Sequence, residues 1–127
     1  MGHIVAADDD LAMRAVVERT LTRAGHRVDL CKDGQELVAE VKSTHPDAVV
    51  TDNEMPVMTG LQARAELAAM PDTADIPVVM ATGSVTPREA AEVLRDGDQL
   101  VRKPFGPAQL RDAVHAAMTQ RRLRSAD

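Results

Sequence analysis

The chain is nearly devoid of aromatic residues, since Phe105 is the only one among its 127 residues. Domains that bind single-stranded nucleic acid use several aromatic side chains as stacking platforms for the bases. The net charge of −5 also disfavours a surface that binds phosphate backbones. These two observations argue against a nucleic-acid-binding module. The basic segment at residues 120–124 is interpreted as the solvated end of a helix, where cations are favoured by the helix dipole.

Cysteine and long hydrophobic runs are equally scarce. Cys31 stands alone, so no intrachain disulfide can form, and a reducing compartment is expected. Three aspartates at residues 8–10 interrupt the apolar N-terminal run and exclude a secretory signal peptide. No stretch reaches the ~20 apolar residues that a membrane span requires. We therefore expect a cytoplasmic protein that makes no membrane contact.

The hydrophobic pattern predicts five strands that alternate with five helices. A length of 127 residues suits one domain with a full core, and we expect a single domain over residues 1–127. Strict alternation favours an α/β fold, with a five-stranded parallel sheet between two layers of helices. A closed barrel would need eight such units. The predicted strands cover residues 3–7, 27–31, 48–52, 76–81 and 99–102, and the helices cover 11–24, about 35–43, 60–70, about 87–95, and a last segment from 107.

Two predicted helices carry local signals that the structure can test. Asp10 precedes the first helix and suits the role of its N-terminal cap. The third helix has Leu61, Ala65 and Ala68 at helical spacing, so these residues are predicted to face the core.

Candidate site residues, each charged or bearing a hydroxyl, lie at the ends of four of the five predicted strands. Asp8 and Asp9 follow the first strand, Asp52 ends the third, Thr82 follows the fourth and Lys103 follows the fifth. Because the carboxyl ends of parallel strands share one edge of the sheet, we expect these side chains to lie together. Two carboxylates ~4 Å apart repel by ~4 kcal/mol at an effective dielectric constant of 20.

A divalent cation relieves such repulsion, and Mg²⁺ (or Mn²⁺) prefers oxygen ligands and often shares them with phosphate. Three carboxylates, one divalent cation and one lysine sum to zero charge. The hydroxyl of Thr82 and the ammonium of Lys103 would complement the oxygens of a phosphoryl group.

In combination, these motifs resemble the receiver domain of two-component response regulators, especially the single-domain chemotaxis type. The motifs are Asp8-Asp9 after the first strand, Asp52 before Met55-Pro56 and Gly60, Thr82-Gly83 after the fourth strand, and Lys103-Pro104-Phe105 after the fifth. The resemblance covers nearly the whole chain. It implies a flavodoxin-like sheet with strand order 2-1-3-4-5, no fused output domain, and a cis bond between Lys103 and Pro104.

The resemblance also implies a metal site. Asp9 and Asp52 take the positions of direct Mg²⁺ ligands, and Asp8 takes a position that acts through metal-bound water. Glu54 falls where the family uses a backbone carbonyl as a ligand.

The expected chemistry is phosphoryl transfer to Asp52, a carboxylate nucleophile that attacks a phosphohistidine. Thr82 resembles the hydroxyl that moves toward the phosphoryl group, and Lys103 the lysine that contacts it. The implied phosphodonor is a sensor histidine kinase or a histidine phosphotransfer protein. A downstream protein is expected to bind the face formed by helix 4, strand 5 and helix 5.

One position of the expected switch departs from the family. Leu100 stands where an aromatic residue is usual, three positions before the lysine. A leucine is shorter than the usual ring and has no polar tip. We therefore expect Thr82, Gly83 and the start of the fourth helix to carry the response, with little contribution from Leu100.

Three other function classes remain open from the sequence. The first is an aspartate-nucleophile phosphatase, which would usually show Asp-x-Asp after the first strand and a cap domain. The second is a flavin or nucleotide carrier, which would need a phosphate-cradling loop where this chain has three aspartates. The third is a receiver-like adaptor that works without phosphorylation. The favoured interpretation is a signalling phosphoprotein rather than an enzyme.

Overall fold

The computed structural model describes residues 2–125. Five strands and five helices alternate along them, as the hydrophobic pattern predicts. The strands are β1 (His3–Ala7), β2 (Arg27–Cys31), β3 (Ala48–Thr51), β4 (Val78–Thr82) and β5 (Gln99–Arg102). The helices are α1 (Leu11–Arg23), α2 (Gly34–Thr44), α3 (Gly60–Ala68), α4 (Pro87–Val93) and α5 (Pro107–Ser125).

The strands form one parallel sheet in the order β2-β1-β3-β4-β5. This confirms the α/β class, the three layers and the strand order 2-1-3-4-5. Successive residues of β1 point to opposite faces, so Ile4 packs beneath α1 and α5 while Val5 packs beneath α2 and α3. Both faces are covered, which is why the central strands are almost continuously apolar.

Local signals fix the ends of the helices. The Asp10 carboxylate accepts hydrogen bonds from the N–H groups of Ala12 and Met13 at 2.9 and 3.3 Å, so its predicted capping role is confirmed. Thr86 and Glu89 form the capping box of α4, in which each side chain accepts a hydrogen bond from the other residue's backbone N–H. β4 begins at Val78 rather than at residue 76, because Pro77 has no N–H to donate to the ladder.

The predicted inner face of α3 is wrong at Ala65, whereas Leu61 and Ala68 are partly buried and Leu61 packs against an apolar cluster. Ala65 is exposed, whereas Ala63, Arg64 and Leu67 are buried. The helix is turned because Arg64 points inward to Asp98, and their side chains are 2% and 1% exposed. The carboxylate partner of Arg64 lies 34 residues away in the sequence, so the spacing of apolar residues does not predict that this arginine is buried.

The Lys103–Pro104 peptide bond is cis, as the resemblance implies. Within residues 2–125, no helix has both the length and the apolar character needed to cross a membrane.

Candidate functional site

Asp8 and Asp52 lie side by side because the pairing of β1 with its neighbours continues one residue past each strand. The Asp8 N–H donates to the carbonyl of Cys31 at 3.2 Å, and the Asp52 N–H donates to that of Ala7 at 3.0 Å. Both carboxylates are thereby held at the carboxyl edge of the sheet.

The loop after Asp52 is seated tightly against the first turn of α3. The Gly60 N–H donates to the backbone carbonyl of Asn53 at 3.0 Å, and the Leu61 N–H donates to the side-chain carbonyl of Asn53 at 3.0 Å. A Cβ at residue 60 would lie 2.2 Å from the backbone oxygen of Asp52. Only glycine permits this close approach, which fixes the backbone beside the Asp52 carboxylate.

Three of the predicted acidic residues form one cluster. Asp8, Asp9 and Asp52 each offer a carboxylate oxygen, and these oxygens lie within 4.8 Å of one another. Asp8 and Asp52 are 4% and 8% exposed, whereas Asp9 is exposed. Asp10 is turned away to cap α1, although its N–H donates to Asp8 Oδ1 at 2.9 Å. The Glu54 side chain is exposed and lies outside the cluster.

Lys103 reaches into this cluster from the end of β5. Its ammonium donates to Oδ2 of Asp8 at 2.9 Å and to Oδ2 of Asp52 at 3.1 Å. Partial burial disfavours the charged ammonium, but the hydrogen bonds to Asp8 and Asp52 outweigh it, so the pKa of Lys103 is raised above its ordinary value. Asp52 Oδ1 accepts a hydrogen bond from the Asn53 N–H at 2.7 Å. Both oxygens of Asp52 are therefore oriented by fixed donors.

Thr82 ends β4 between the acidic cluster and β5, and its side chain is fully buried. Its carbonyl accepts a hydrogen bond from the Lys103 N–H at 3.1 Å. Its hydroxyl lies 3.2 Å from that of Ser84, whose N–H also donates to it at 3.3 Å. Ser84 is not among the site residues predicted from the sequence. The feature that could have indicated it is a second hydroxyl side chain two positions after Thr82.

Leu100 lies away from this group, inside β5. It is partly buried and packs with a small apolar cluster that contains Met80, Val85 and Ala90. An aliphatic patch beneath α4 thus takes the place of the aromatic side chain that the resemblance leads one to expect.

The donor set of the acidic cluster suits a hard divalent cation. It consists of oxygens alone, as Mg²⁺ prefers. Three carboxylates and the single ammonium of Lys103 leave a formal charge of −2, which one divalent ion would neutralise. Asp8, Asp9 and Asp52 therefore fit the divalent cation that the sequence predicts at this site.

Comparison with known proteins identifies the fold and its family. Residues 4–115 match the family model of the response regulator receiver domain. The response regulator MprA of Mycolicibacterium vanbaalenii is 35% identical over 116 residues, which cover 91% of this chain and 50% of the relative. The chain spans about half the length of the curated relatives that it matches.

Solved structures agree with this match. The chemotaxis response regulator CheY4 of Vibrio cholerae superposes with a TM-score of 0.83 at 29% identity, covering 92% of this chain and 98% of that one. The receiver domain of the sensor histidine kinase PA1611 of Pseudomonas aeruginosa gives a TM-score of 0.84 at 25% identity and covers 93% and 98%. The latter structure has a magnesium ion coordinated in its active-site cleft.

The bridge made by Lys103 yields a stability prediction. Lys103→Met should lower the free energy of unfolding by about 1–3 kcal/mol in metal-free buffer, because two nearly buried carboxylates lose their shared counter-ion. Adding Mg²⁺ should restore more stability to the variant than it adds to wild type, as measured by urea unfolding with and without the ion. Lys32→Met is the matched control, since Lys32 is 67% exposed and, among residues 2–125, forms an ion pair only with Glu36 on the surface.

The difference between wild type and Lys103→Met also has a defined pH dependence. A lysine whose folded-state pKa is raised contributes its full stability below the unfolded value of about 10.4. That contribution is lost as the pH rises through the folded-state pKa. The difference should therefore persist from neutral pH to about 10 and shrink above it. Equal stability of the two proteins at neutral pH would contradict the role given to this bridge.

Proposed function

The chain belongs to the response regulator receiver family of two-component signalling, and we propose on that premise that Asp52 is its phosphoacceptor. Receiver domains of response regulators interact with histidine kinases or phosphotransfer proteins, and the proposed donor is a phosphohistidine on such a partner. The observation that carries the proposal is the setting of Asp52. Its carboxylate is nearly buried, belongs to the acidic cluster, and is oriented by Lys103 and the Asn53 N–H.

The proposed reaction is a displacement at phosphorus. A carboxylate oxygen of Asp52 forms a bond to phosphorus as the bond from phosphorus to the histidine nitrogen breaks. The electron pair of the broken bond stays on the imidazole, and the product is an aspartyl phosphate. Because the carboxylate is already oriented, little rotational freedom is lost on the way to the reactive geometry.

Receiver domains bind Mg²⁺ at an acidic pocket, and the cluster described above is the proposed place for it here. Asp9 and Asp52 would hold the ion directly, Asp8 through a water molecule, and Glu54 through its backbone carbonyl. When bound, the ion neutralises negative charge that develops on the phosphoryl oxygens. Mn²⁺ has the same preference for oxygen ligands and is the expected substitute.

Lys103 and Thr82 are proposed to hold the phosphoryl group after transfer. The ammonium of Lys103 already lies against Asp52, so it is placed to donate to a phosphoryl oxygen bonded to that side chain. The hydroxyl of Thr82 would leave Ser84 and donate to a second oxygen. Movement of Thr82 would then carry the signal into residues 83–86, which lead to α4.

Residues 83–86 also have a direct connection to β5. The guanidinium of Arg102 donates to the backbone carbonyl of Val85, and the Val85 side chain packs in the same apolar cluster as Leu100. We propose that the downstream protein binds the face formed by α4, β5 and α5, because a shift of this loop changes the surface there.

The comparisons give no support to an aspartate-nucleophile phosphatase, since the matches reported above are response regulators and receiver domains. No observation favours the nucleotide carrier or the phosphorylation-independent adaptor, and the proposed role is that of a signalling phosphoprotein.

The phosphoacceptor assignment predicts a specific labelling result. Acetyl phosphate or phosphoramidate with Mg²⁺ should add one acid-stable, base-labile phosphoryl group, read as intact mass. Asp52→Asn should abolish the addition because an amide does not form an acyl phosphate. Asp10→Asn is the control and should label normally, since Asp10 caps α1. Equal labelling of wild type and Asp52→Asn would remove the assignment.

The departure at Leu100 predicts where the response appears. On addition of beryllofluoride (a phosphoryl mimic), amide chemical shifts should change strongly for residues 83–90 and only modestly around Leu100. Thr82→Ala should weaken the response of residues 83–90 more than Leu100→Ala does, because the hydroxyl of Thr82 is the proposed link to the phosphoryl group. If Leu100→Ala binds the mimic yet loses the response, leucine takes over the part of the aromatic residue and the proposed switch is wrong.

A further inference from the structure

A second polar cavity lies at the opposite edge of the sheet, where β4 and β5 begin. Its volume is about 310 Å³, and four arginines from three parts of the fold line it. Arg64 comes from α3, Arg95 from the segment after α4, and Arg121 and Arg124 from the end of α5. Three aspartates also line it, which leaves a formal charge of +1.

Arg64 is the innermost of these side chains and is left with an unused donor. Its Nε and Nη2 donate to the two carboxylate oxygens of Asp98 at 2.8 and 3.3 Å, and Nη2 also donates to the carbonyl of Ala74 at 3.3 Å. Nη1 is buried and has no hydrogen-bond partner among residues 2–125. A buried donor without an acceptor is unfavourable, more so when it belongs to a charged group. Because Nη1 is itself buried, Arg64 contributes positive charge to the wall of the cavity, and the donors open to a ligand are those of Arg95, Arg121 and Arg124.

Asp98 is not available to pair with the other three arginines of the cavity. Besides Arg64, it accepts hydrogen bonds from the backbone N–H groups of Val78 and Arg95, each at 2.8 Å. Its two oxygens thus bind four donors within the fold, and its charge is matched by Arg64.

Arg121 and Arg124 are oriented mainly by backbone carbonyls, which fix their direction without neutralising them. Arg124 Nη1 donates to the carbonyl of Asp96 at 2.8 Å, and its guanidinium lies over the Gly97 turn, where a Cβ would be 2.9 Å from Nη2. Arg121 Nη1 donates to the carbonyls of residues 46 and 47 at 3.2 and 3.3 Å. The interpretation of residues 120–124 as a solvated helix end is therefore wrong for Arg121, whose side chain is only 26% exposed, whereas Arg124 is exposed as predicted.

Two ion pairs lie at this cavity in the described part of the chain, Arg64 with Asp98 and Arg121 with Asp75. They leave two arginines and the carboxylate of Asp96 without a charged partner among the described residues, which is a net charge of +1. The second pair is long, at 3.7 Å, and Asp75 is 64% exposed, so solvent screens it. Arg95 and Arg124 have no carboxylate partner within residues 2–125.

We propose that this cavity binds a small phosphate anion, either inorganic phosphate or the phosphate group of a small phosphomonoester. The guanidinium fork matches phosphate geometry, and arginines from three parts of the fold suit a tetrahedral anion better than a planar carboxylate. The volume lies at the low end of the roughly 300–1,000 Å³ of small-molecule sites, which limits the size of the ligand. This site is separate from Asp52, which lies at the carboxyl edge of the same sheet.

The test is a titration of ¹⁵N-labelled full chain with inorganic phosphate and, separately, with glycerol phosphate. The buffer contains EDTA, so that the acidic cluster holds no metal, and chloride keeps the ionic strength constant. Amide shifts of residues 74–76 and 95–98 should saturate, while those of residues 8–9 and 52–54 should barely change. Tighter binding of glycerol phosphate would identify the ligand as a phosphomonoester, and tighter binding of inorganic phosphate would identify the free ion.

Variants separate a built site from general attraction to positive charge. The Arg95→Gln, Arg124→Gln double variant alters two exposed side chains and should bind phosphate at least ~tenfold more weakly, because it loses charge-assisted hydrogen bonds. Arg88→Gln is the matched control, since Arg88 is 92% exposed on α4 and does not line the cavity. Shifts that rise linearly with phosphate, or equal affinity in the double variant and wild type, would mean an adventitious ion only and would overturn the proposal.

Discussion

The contact of one ammonium with two carboxylates is the interaction on which the candidate site depends. Lys103 lies 2.9 Å from Asp8 and 3.1 Å from Asp52, and both aspartates are nearly buried. Without it, two like charges ~4 Å apart would repel by ~4 kcal/mol at an effective dielectric constant of 20. With Asp9 included, one positive charge faces three negative ones, so the site still favours a divalent cation. An arriving phosphoryl group would add further oxygens for the same ammonium.

The strand order explains how residues so far apart in the chain reach each other. β4 lies between β3 and β5, so the side chain of Lys103 must cross the end of β4 to reach Asp52. The residues at that crossing are small: Thr82 is fully buried, and a Cβ at Gly83 would lie 3.8 Å from that of Lys103. The long, flexible stem of lysine suits such a crossing. The crossing also places Thr82 between the Lys103 ammonium and the loop that leads to α4.

The sequence was most informative where one local rule decides the outcome. Apolar runs ending in polar residues located the strands, Asp10 and Thr86 marked helix starts, and the shared edge of a parallel sheet predicted that Asp8, Asp9 and Asp52 would meet. The strand order was predicted from the family resemblance alone, because the spacing of hydrophobic residues does not determine the order of parallel strands in a sheet.

Sequence reasoning failed where a distant partner decides the outcome. Arg64 reads as a solvent-facing residue of α3, and only its bidentate contact with Asp98 explains its burial. Arg124 is exposed at the end of α5, as the sequence predicts, but its hydrogen bond to a carbonyl 28 residues earlier has no local signal. Both contacts lie at the arginine-lined cavity, whose residues come from separated segments that no local pattern connects.

The most direct test of the phosphoacceptor assignment locates the acyl phosphate chemically. The chain is phosphorylated with acetyl phosphate and Mg²⁺, reduced with borohydride, which converts an aspartyl phosphate to homoserine, and sequenced by tandem mass spectrometry. We predict homoserine at residue 52 and unchanged aspartate at residues 8, 9 and 10. Homoserine at any of those three positions, with Asp52 unchanged, would contradict the assignment.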